Sequence, residues 1–129
     1  MRESVTAADI QVVVATDLPS VPAGQQLRIT VTVSNQTISA RTLEFSSSCQ
    51  TNYEFLDSRG EVAATSQRMC MQARTQRTLP AGGGFTDVHT WARRPLEPNQ
   101  LKPGAYKLRG VLLATGDTIR SSPVPIDIP

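Results

Sequence analysis

Hydrophobic and polar residues alternate most regularly in Gln26–Asn35. The hydrophobic residues at every second position are Leu27, Ile29, Val31 and Val33, and polar residues lie between them. A period of two is typical of a β-strand that has one face on a hydrophobic core and the other in water. The pattern therefore predicts a half-buried strand over this range.

Shorter stretches of the chain also favour strands and are separated by turn-forming residues. We expect further strands at residues 9–16, 42–45, 53–56, 61–65, 75–79, 85–91, 105–114 and 118–128. Pro123 and Pro125 interrupt the last range, and proline cannot donate to a sheet ladder, so an edge strand is expected there. About eight or nine short strands without a helical period indicate an antiparallel β-sandwich.

One local motif makes this prediction more specific. Tyr106 follows a Pro103-Gly104 turn by two residues and begins a long predicted strand. In immunoglobulin-like sandwiches a tyrosine in this position bonds back to the corner backbone, although an ordinary half-buried strand tyrosine is the alternative. No cysteine lies in the two long strands, so we expect Val31 or Val33 and Leu108 to fill the space of the antibody-type disulfide. The predicted fold class is an all-β, immunoglobulin-like antiparallel sandwich.

Length and composition limit the function classes. A chain of 129 residues has room for one domain, which we expect to span residues 1–129, with residues 1–8 disordered. A hydrophobic content of 39% excludes a disordered chain, and a net charge of +2 is too small to indicate a nucleic-acid partner. No apolar run approaches the roughly 18 residues of a membrane span. We expect a monomer without a membrane span.

Catalytic and metal-binding patterns are missing from the sequence. His89 is the only histidine and lies within a predicted strand, so we interpret it as a structural imidazole. The chain has no G-x-S-x-G motif, its acidic residues are scattered, and the glycines at 82–84 are followed by no phosphate-binding motif. Asn35-Gln36-Thr37 fits a glycosylation sequon, a triplet that also occurs by chance. We predict no enzyme, no catalytic residues, no metal and no cofactor.

The spacing of the two cysteines does not determine whether they are free thiols or bonded to each other. Cys49 and Cys70 are not spaced as a C-x-x-C motif, so the spacing supports neither a zinc knuckle nor a thioredoxin-like site. They are either two buried thiols or one disulfide. The first six residues contain no apolar signal-peptide core, which fits either a cytoplasmic protein or a mature chain from which a signal has been removed.

An ordered set of short motifs resembles the intracellular proteinase inhibitor (BsuPI-like) family. The motifs are Leu43-Glu44-Phe45, Ser48-Cys49-Gln50, Tyr53-Glu54-Phe55, Asp57, Gly60, Val62, Ser66, Met69-Cys70-Met71-Gln72, Leu79-Pro80-Ala81-Gly82, Trp91 and Leu101-Lys102-Pro103-Gly104-Ala105-Tyr106. The resemblance covers about residues 25–128. It implies an immunoglobulin-like sandwich and inhibition of a subtilisin-type serine protease.

The sequence departs from the family pattern at two places. Cys49 stands where the family has glycine and Cys70 where it has phenylalanine, and a paired gain favours a Cys49–Cys70 disulfide. Because disulfides persist mainly in oxidising compartments, this departure predicts a periplasmic or extracellular protein. The resemblance to an intracellular family leaves a cytoplasmic protein as the alternative. Ala63-Ala64-Thr65 replaces a family tryptophan, which weakens any inherited contact surface there.

Two functions follow from these observations. The main hypothesis is a non-catalytic interaction or scaffold module of the bacterial envelope with a protein partner. The lack of a catalytic site, the expected disulfide and the missing family tryptophan favour it, and because sandwiches of this type host many functions, the family name carries limited weight. The alternative is an inhibitor of a subtilisin-type serine protease, with the protease as partner. The candidate contact loop is residues 67–72, through Gln67, Arg68, Met69, Met71 and Gln72. In the competing interpretation, the two methionines plug the end of the sandwich.

Overall fold

The computed structural model describes residues 9–66, 68–93, 101–116 and 118–129. The elements in this part of the chain are ten β-strands. They are β1 (Ile10–Thr16), β2 (Gln26–Asn35), β3 (Arg41–Phe45), β4 (Thr51–Leu56), β5 (Val62–Thr65), β6 (Thr75–Leu79), β7 (Gly84–Ala92), β8 (Gly104–Leu112), β9 (Ile119–Arg120) and β10 (Val124–Ile128). The expected disorder of residues 1–8 falls outside the described residues.

The strands form an antiparallel sandwich, which confirms the predicted fold class. One sheet has the order β1-β2-β7, and the facing sheet has the order β10-β8-β4-β5 with β9 added to β8. Strands β3 and β6 pair separately, with Arg41 opposite Leu79 and Phe45 opposite Thr75. Strand β6 directly follows the connection that carries the candidate contact loop.

The last predicted strand is divided into β9 and β10. Ser121 donates its backbone N–H to the carbonyl of Gly110 at 2.9 Å, and the chain then passes through Pro123, which has no N–H to continue the ladder. Strand β10 lies at the edge of its sheet, as its prolines predict. Its outer side is partly covered, because Asp127 exchanges hydrogen bonds with Pro19 and Val21 at 3.0 and 2.9 Å.

The core lies between the two sheets and follows the alternation in β2. The hydrophobic residues of β2 are completely buried, and so are Phe55, Leu108 and Leu112 on the facing sheet. Gly110 is the point of closest approach, because a Cβ added there would lie 3.1 Å from a methyl of Val31 and 3.4 Å from Cβ of Val14. A side chain at this position would push the sheets apart.

Tyr106 forms the hydrogen bond that defines a tyrosine corner. Its hydroxyl donates to the carbonyl of Lys102 at 2.7 Å, and its side chain is half-buried. Gly104, between these residues, has a φ of 157°. The bond joins the start of β8 to the turn before it, at an exposed position.

Candidate functional site

The candidate contact loop is part of the connection between β5 and β6. The described residues of the loop, 68–72, are all exposed and belong to no strand; we call them the contact segment. Met69 is 94% exposed and Met71 is 72% exposed. The interpretation that these methionines plug the sandwich end is therefore wrong. Gln67 lies outside the described residues.

A disulfide joins the contact segment to the sandwich. Cys70 bonds to Cys49, 21 residues earlier, with their Cα atoms 5.6 Å apart. This confirms the predicted pairing and excludes the alternative of two free thiols. Cys49 is only 7% exposed and follows β3, whereas Cys70 is exposed. Closing a loop of this length contributes about 3 kcal/mol to stability in the chain-entropy account.

Hydrogen bonds hold the contact segment on both sides of Cys70. Met71 donates its backbone N–H to Oγ of Ser48 at 2.8 Å and accepts a bond from the Ser48 N–H at 3.1 Å. On the other side, the guanidinium of Arg68 donates to the carbonyl of Thr51 at the start of β4. The segment is thereby joined to the sandwich at Arg68 and Met71 as well as at Cys70, while both methionines remain exposed to solvent.

A polar cluster lies beneath Arg68, between the two sheets. Thr51 donates its hydroxyl to Asp87 at 2.7 Å, and its oxygen lies 2.9 Å from Nε2 of His89. Since the hydroxyl proton is directed to Asp87, Nε2 of His89 is the donor in the second bond. Burial, assisted by the positive charge of Arg68 and opposed by Asp87, lowers the pKa of His89. The lowered pKa favours a neutral imidazole that donates from Nε2 to Thr51, which matches its interpretation as a structural imidazole.

Aromatic packing fixes the position of this cluster. The ring of Tyr53 lies 5.5 Å from that of His89, and the ring of Phe55 lies 4.8 Å from that of Trp91. Each pair joins β4 to β7, so the two sheets are held in register beneath the contact segment. Burial raises the pKa of Tyr53, with the charge of Arg68 and a hydrogen bond to Ser66 acting in the opposite direction.

A shallow polar depression borders the contact segment. Its lining residues are Ser48, Gln50, Arg68, Arg77, Asp87 and Val88. The guanidinium of Arg77 lies 4.1 Å from the ring centre of Phe85 and donates to Oε1 of Gln50 at 2.9 Å. Sequence reasoning missed Ser48, Thr51 and Arg77; only Ser48 had a local signal, its position beside Cys49. The depression places polar side chains beside Arg68 of the contact segment.

Within the described ranges, no group of three or more histidine, cysteine, aspartate or glutamate side chains could hold a metal ion. Among the same residues, no helix is long and apolar enough to cross a membrane.

A family match covers most of the chain and includes the whole contact segment. Residues 14–116 match BsuPI, which is described as intracellular proteinase inhibitor. The chain belongs to the BsuPI family. The match confirms the resemblance and favours the inhibitor hypothesis over the envelope interaction module. BsuPI is a family of inhibitors rather than of enzymes, and its description implies a protease partner.

The predicted periplasmic or extracellular location is wrong on this finding, because the BsuPI family is described as intracellular. That location was inferred from the cysteine pair. The disulfide is present, but a disulfide also occurs inside cells where it is transient or redox-sensing. Its presence therefore does not require export.

Solved structures share the fold at low sequence identity. The C-terminal domain of wzt is 10% identical with a TM-score of 0.60, covering 94% of this chain and 74% of its own. Spo0M, the sporulation control protein from Bacillus subtilis, is 12% identical with a TM-score of 0.56, covering 93% and 49%. The Pseudomonas fluorescens alkylpurine DNA glycosylase AlkC is 11% identical with a TM-score of 0.56, covering 93% and 30%. No curated protein matches the sequence.

The chain thus spans about a third of the glycosylase and about half of Spo0M. At these identities the likeness shows a shared sandwich fold and nothing about activity.

Proposed function

We propose that this chain inhibits a subtilisin-type serine protease by placing residues 68–72 in the active-site cleft. The observation that carries the proposal is Met69, which is 94% exposed on a segment tied to the sandwich by a disulfide. Exposing a large apolar side chain to water is unfavourable by itself, and a binding pocket for it in a partner removes that cost. Membership of the BsuPI family supports a protease as the partner.

The chemistry of the contact segment favours a protease with an apolar specificity pocket. Methionine is unbranched and adapts to a hydrophobic slot, whereas a trypsin-type pocket contains an aspartate that selects a cationic side chain. The one cationic residue of the segment, Arg68, already donates its guanidinium to the carbonyl of Thr51. Met69 is therefore the residue that we place in the specificity pocket.

The anchoring also explains how the contact segment would resist turnover. If the bond after Met69 were cut, the new amino end would still be held by the Cys49–Cys70 bond and by the Met71 contacts with Ser48. The new carboxyl end would be held through Arg68. With both ends in place, release is slow, and the prior ordering of the segment reduces the entropy lost on binding.

The test measures inhibition of subtilisin by the native chain and by Met69→Ala, with trypsin as a second protease. Truncating a hot-spot side chain at the centre of an interface costs about 2 kcal/mol or more, so we expect inhibition of subtilisin to weaken by about 30-fold or more. Native inhibition of trypsin should be weaker than that of subtilisin. Intact mass after incubation shows whether the chain is cleaved.

Ile38→Ala is the matched control. Ile38 is 99% exposed and lies in the turn before β3, beyond the end of that strand opposite Ser48. It should inhibit like the native chain. Equal inhibition by Met69→Ala and the native chain would contradict the placement of the inhibitory site. A loss of inhibition confined to Ile38→Ala would place the site at the turn before β3 instead. Lack of inhibition by the native chain would contradict the function itself.

A further inference from the structure

The disulfide that braces the contact segment occurs in a member of a family described as intracellular. In mesophilic cytosol, thiols are kept reduced, and the disulfides that do form are usually transient, catalytic or redox-sensing. A bond of this kind at the proposed inhibitory segment invites a regulatory interpretation. That interpretation rests on the proposed function.

The two cysteines differ in a way that permits exchange. Cys70 is exposed, so an external thiolate can reach its sulfur, whereas Cys49 is 7% exposed and is shielded from direct attack. Attack at Cys70 forms a mixed disulfide there and releases Cys49 as a thiolate, which takes up a proton.

When the external thiol belongs to a dithiol reductant, its second thiol then attacks the reductant's sulfur in the mixed disulfide. Cys70 is released and takes up a proton. The protein gains two electrons and two protons, and the dithiol becomes a disulfide. Oxidation by a disulfide reagent reverses both steps.

Breaking this bond affects the contact segment far more than the sandwich. The ladder between β4 and β8 runs from Thr51 opposite Leu112 to Leu56 opposite Lys107 and does not include either cysteine. The contact segment, by contrast, lies outside every strand, and its bonds to Ser48 are solvent-accessible. Such a region opens locally without unfolding the core.

We propose that the Cys49–Cys70 bond is a reversible thiol switch. The oxidised chain inhibits its protease, whereas reduction by a cellular dithiol loosens residues 68–72 and releases the protease. Loosening adds an ordering cost to binding, so the reduced chain should inhibit roughly 10- to 100-fold more weakly. It should also be cut within the connection between β5 and β6, because a flexible loop is a protease substrate.

The experiment compares the oxidised chain, the chain reduced with dithiothreitol, and the Cys49→Ala/Cys70→Ala variant. Each is titrated against subtilisin, and hydrogen exchange is followed in peptides that cover the contact segment and, separately, β4 and β8. The variant should resemble the reduced chain, and dithiothreitol should not change its inhibition, which controls for effects of the reductant on the protease. Reoxidation should restore inhibition by the native chain.

Weaker inhibition on reduction, with faster exchange limited to the contact segment, would support the switch. Equal inhibition in both redox states, unchanged exchange at the segment, failure of dithiothreitol to reduce the folded chain, or unfolding of β4 and β8 would each overturn it. A lack of inhibition in every state is a different result: it contradicts the proposed function, and the redox control of inhibition is then contradicted with it.

Discussion

Replacing Asn35 with aspartate tests how the two turns at one end of the sandwich are held together. Asn35 is completely buried. Its Nδ2 donates to the carbonyls of Ser39, Leu79 and Pro80 at 2.9, 3.0 and 3.2 Å, and its Oδ1 accepts from the backbone and hydroxyl of Thr37 at 3.0 and 2.7 Å. One side chain thus links the turn after β2 to the turn after β6.

The substitution changes the chemistry while keeping the shape. Asn35→Asp replaces the donating amide with an oxygen that faces three carbonyl oxygens. The substitution therefore introduces a buried negative charge that has no donor on this side. Leaving buried groups unpaired costs about 1–3 kcal/mol, and more when a charge is involved, so we expect a loss of about 3 kcal/mol at pH 8. The pKa of the new carboxyl group should be raised, because the charged form is disfavoured.

The assay is urea unfolding at pH 8 and pH 5, with Gln36→Glu as the control. Gln36 is exposed, so the same change of charge there should alter stability by less than about 0.5 kcal/mol. Protonation lets the new carboxyl group donate one hydrogen bond, so the deficit of Asn35→Asp should shrink at pH 5. If Asn35→Asp were as stable as Gln36→Glu at pH 8, the account of this linkage would be refuted.

Three further predictions concern the sandwich. Tyr106→Phe should lower the free energy of unfolding by about 0.5–1.5 kcal/mol in urea denaturation, because its bond to Lys102 is exposed; no measurable loss would show that the corner does not stabilise the fold. Burial lowers the pKa of His89, so the unfolded state binds the proton before the folded state as the pH falls below 6.5. The free energy of unfolding should therefore decline below pH 6.5 when unfolding is measured as a function of pH. An equal decline in the His89→Gln variant would show that other groups cause it. Gly110→Ala should lower the free energy of unfolding by about 1–3 kcal/mol, because the new methyl group crowds Val31. If the losses of Gly110→Ala and Val31→Ala simply added in the double variant, crowding between these two residues would be contradicted.

The sandwich could be predicted because its signals are local. The alternation in β2 requires only that every second side chain be buried, and each of those residues is buried in the structure. The division of the last strand into β9 and β10 depends instead on how Ser121 bonds to Gly110 across the sheet. Such a contact joins residues eleven positions apart and is not visible in a local pattern.

The candidate site could be predicted only in part. The two cysteine departures from the family pattern predicted the Cys49–Cys70 pairing that the structure shows. Hydrophobicity favoured burial of Met69, whereas the structure exposes it, because the short connection held by Cys70 lies outside the core. The anchoring by Ser48 and Thr51 results from tertiary packing that brings β4 beneath the segment, and neither residue type indicates such a role alone.

Mapping where the protease binds tests the proposed inhibitory segment most directly. Hydrogen exchange of the oxidised chain is measured alone and with a subtilisin variant whose catalytic serine is replaced by alanine, so that binding occurs without cleavage. We expect strong protection at residues 68–72 and at Ser48, with exchange in the turn that carries Ile38 unchanged. Protection limited to another surface, or no protection at saturating protease, would contradict the central claim that this disulfide-braced segment is the inhibitory site.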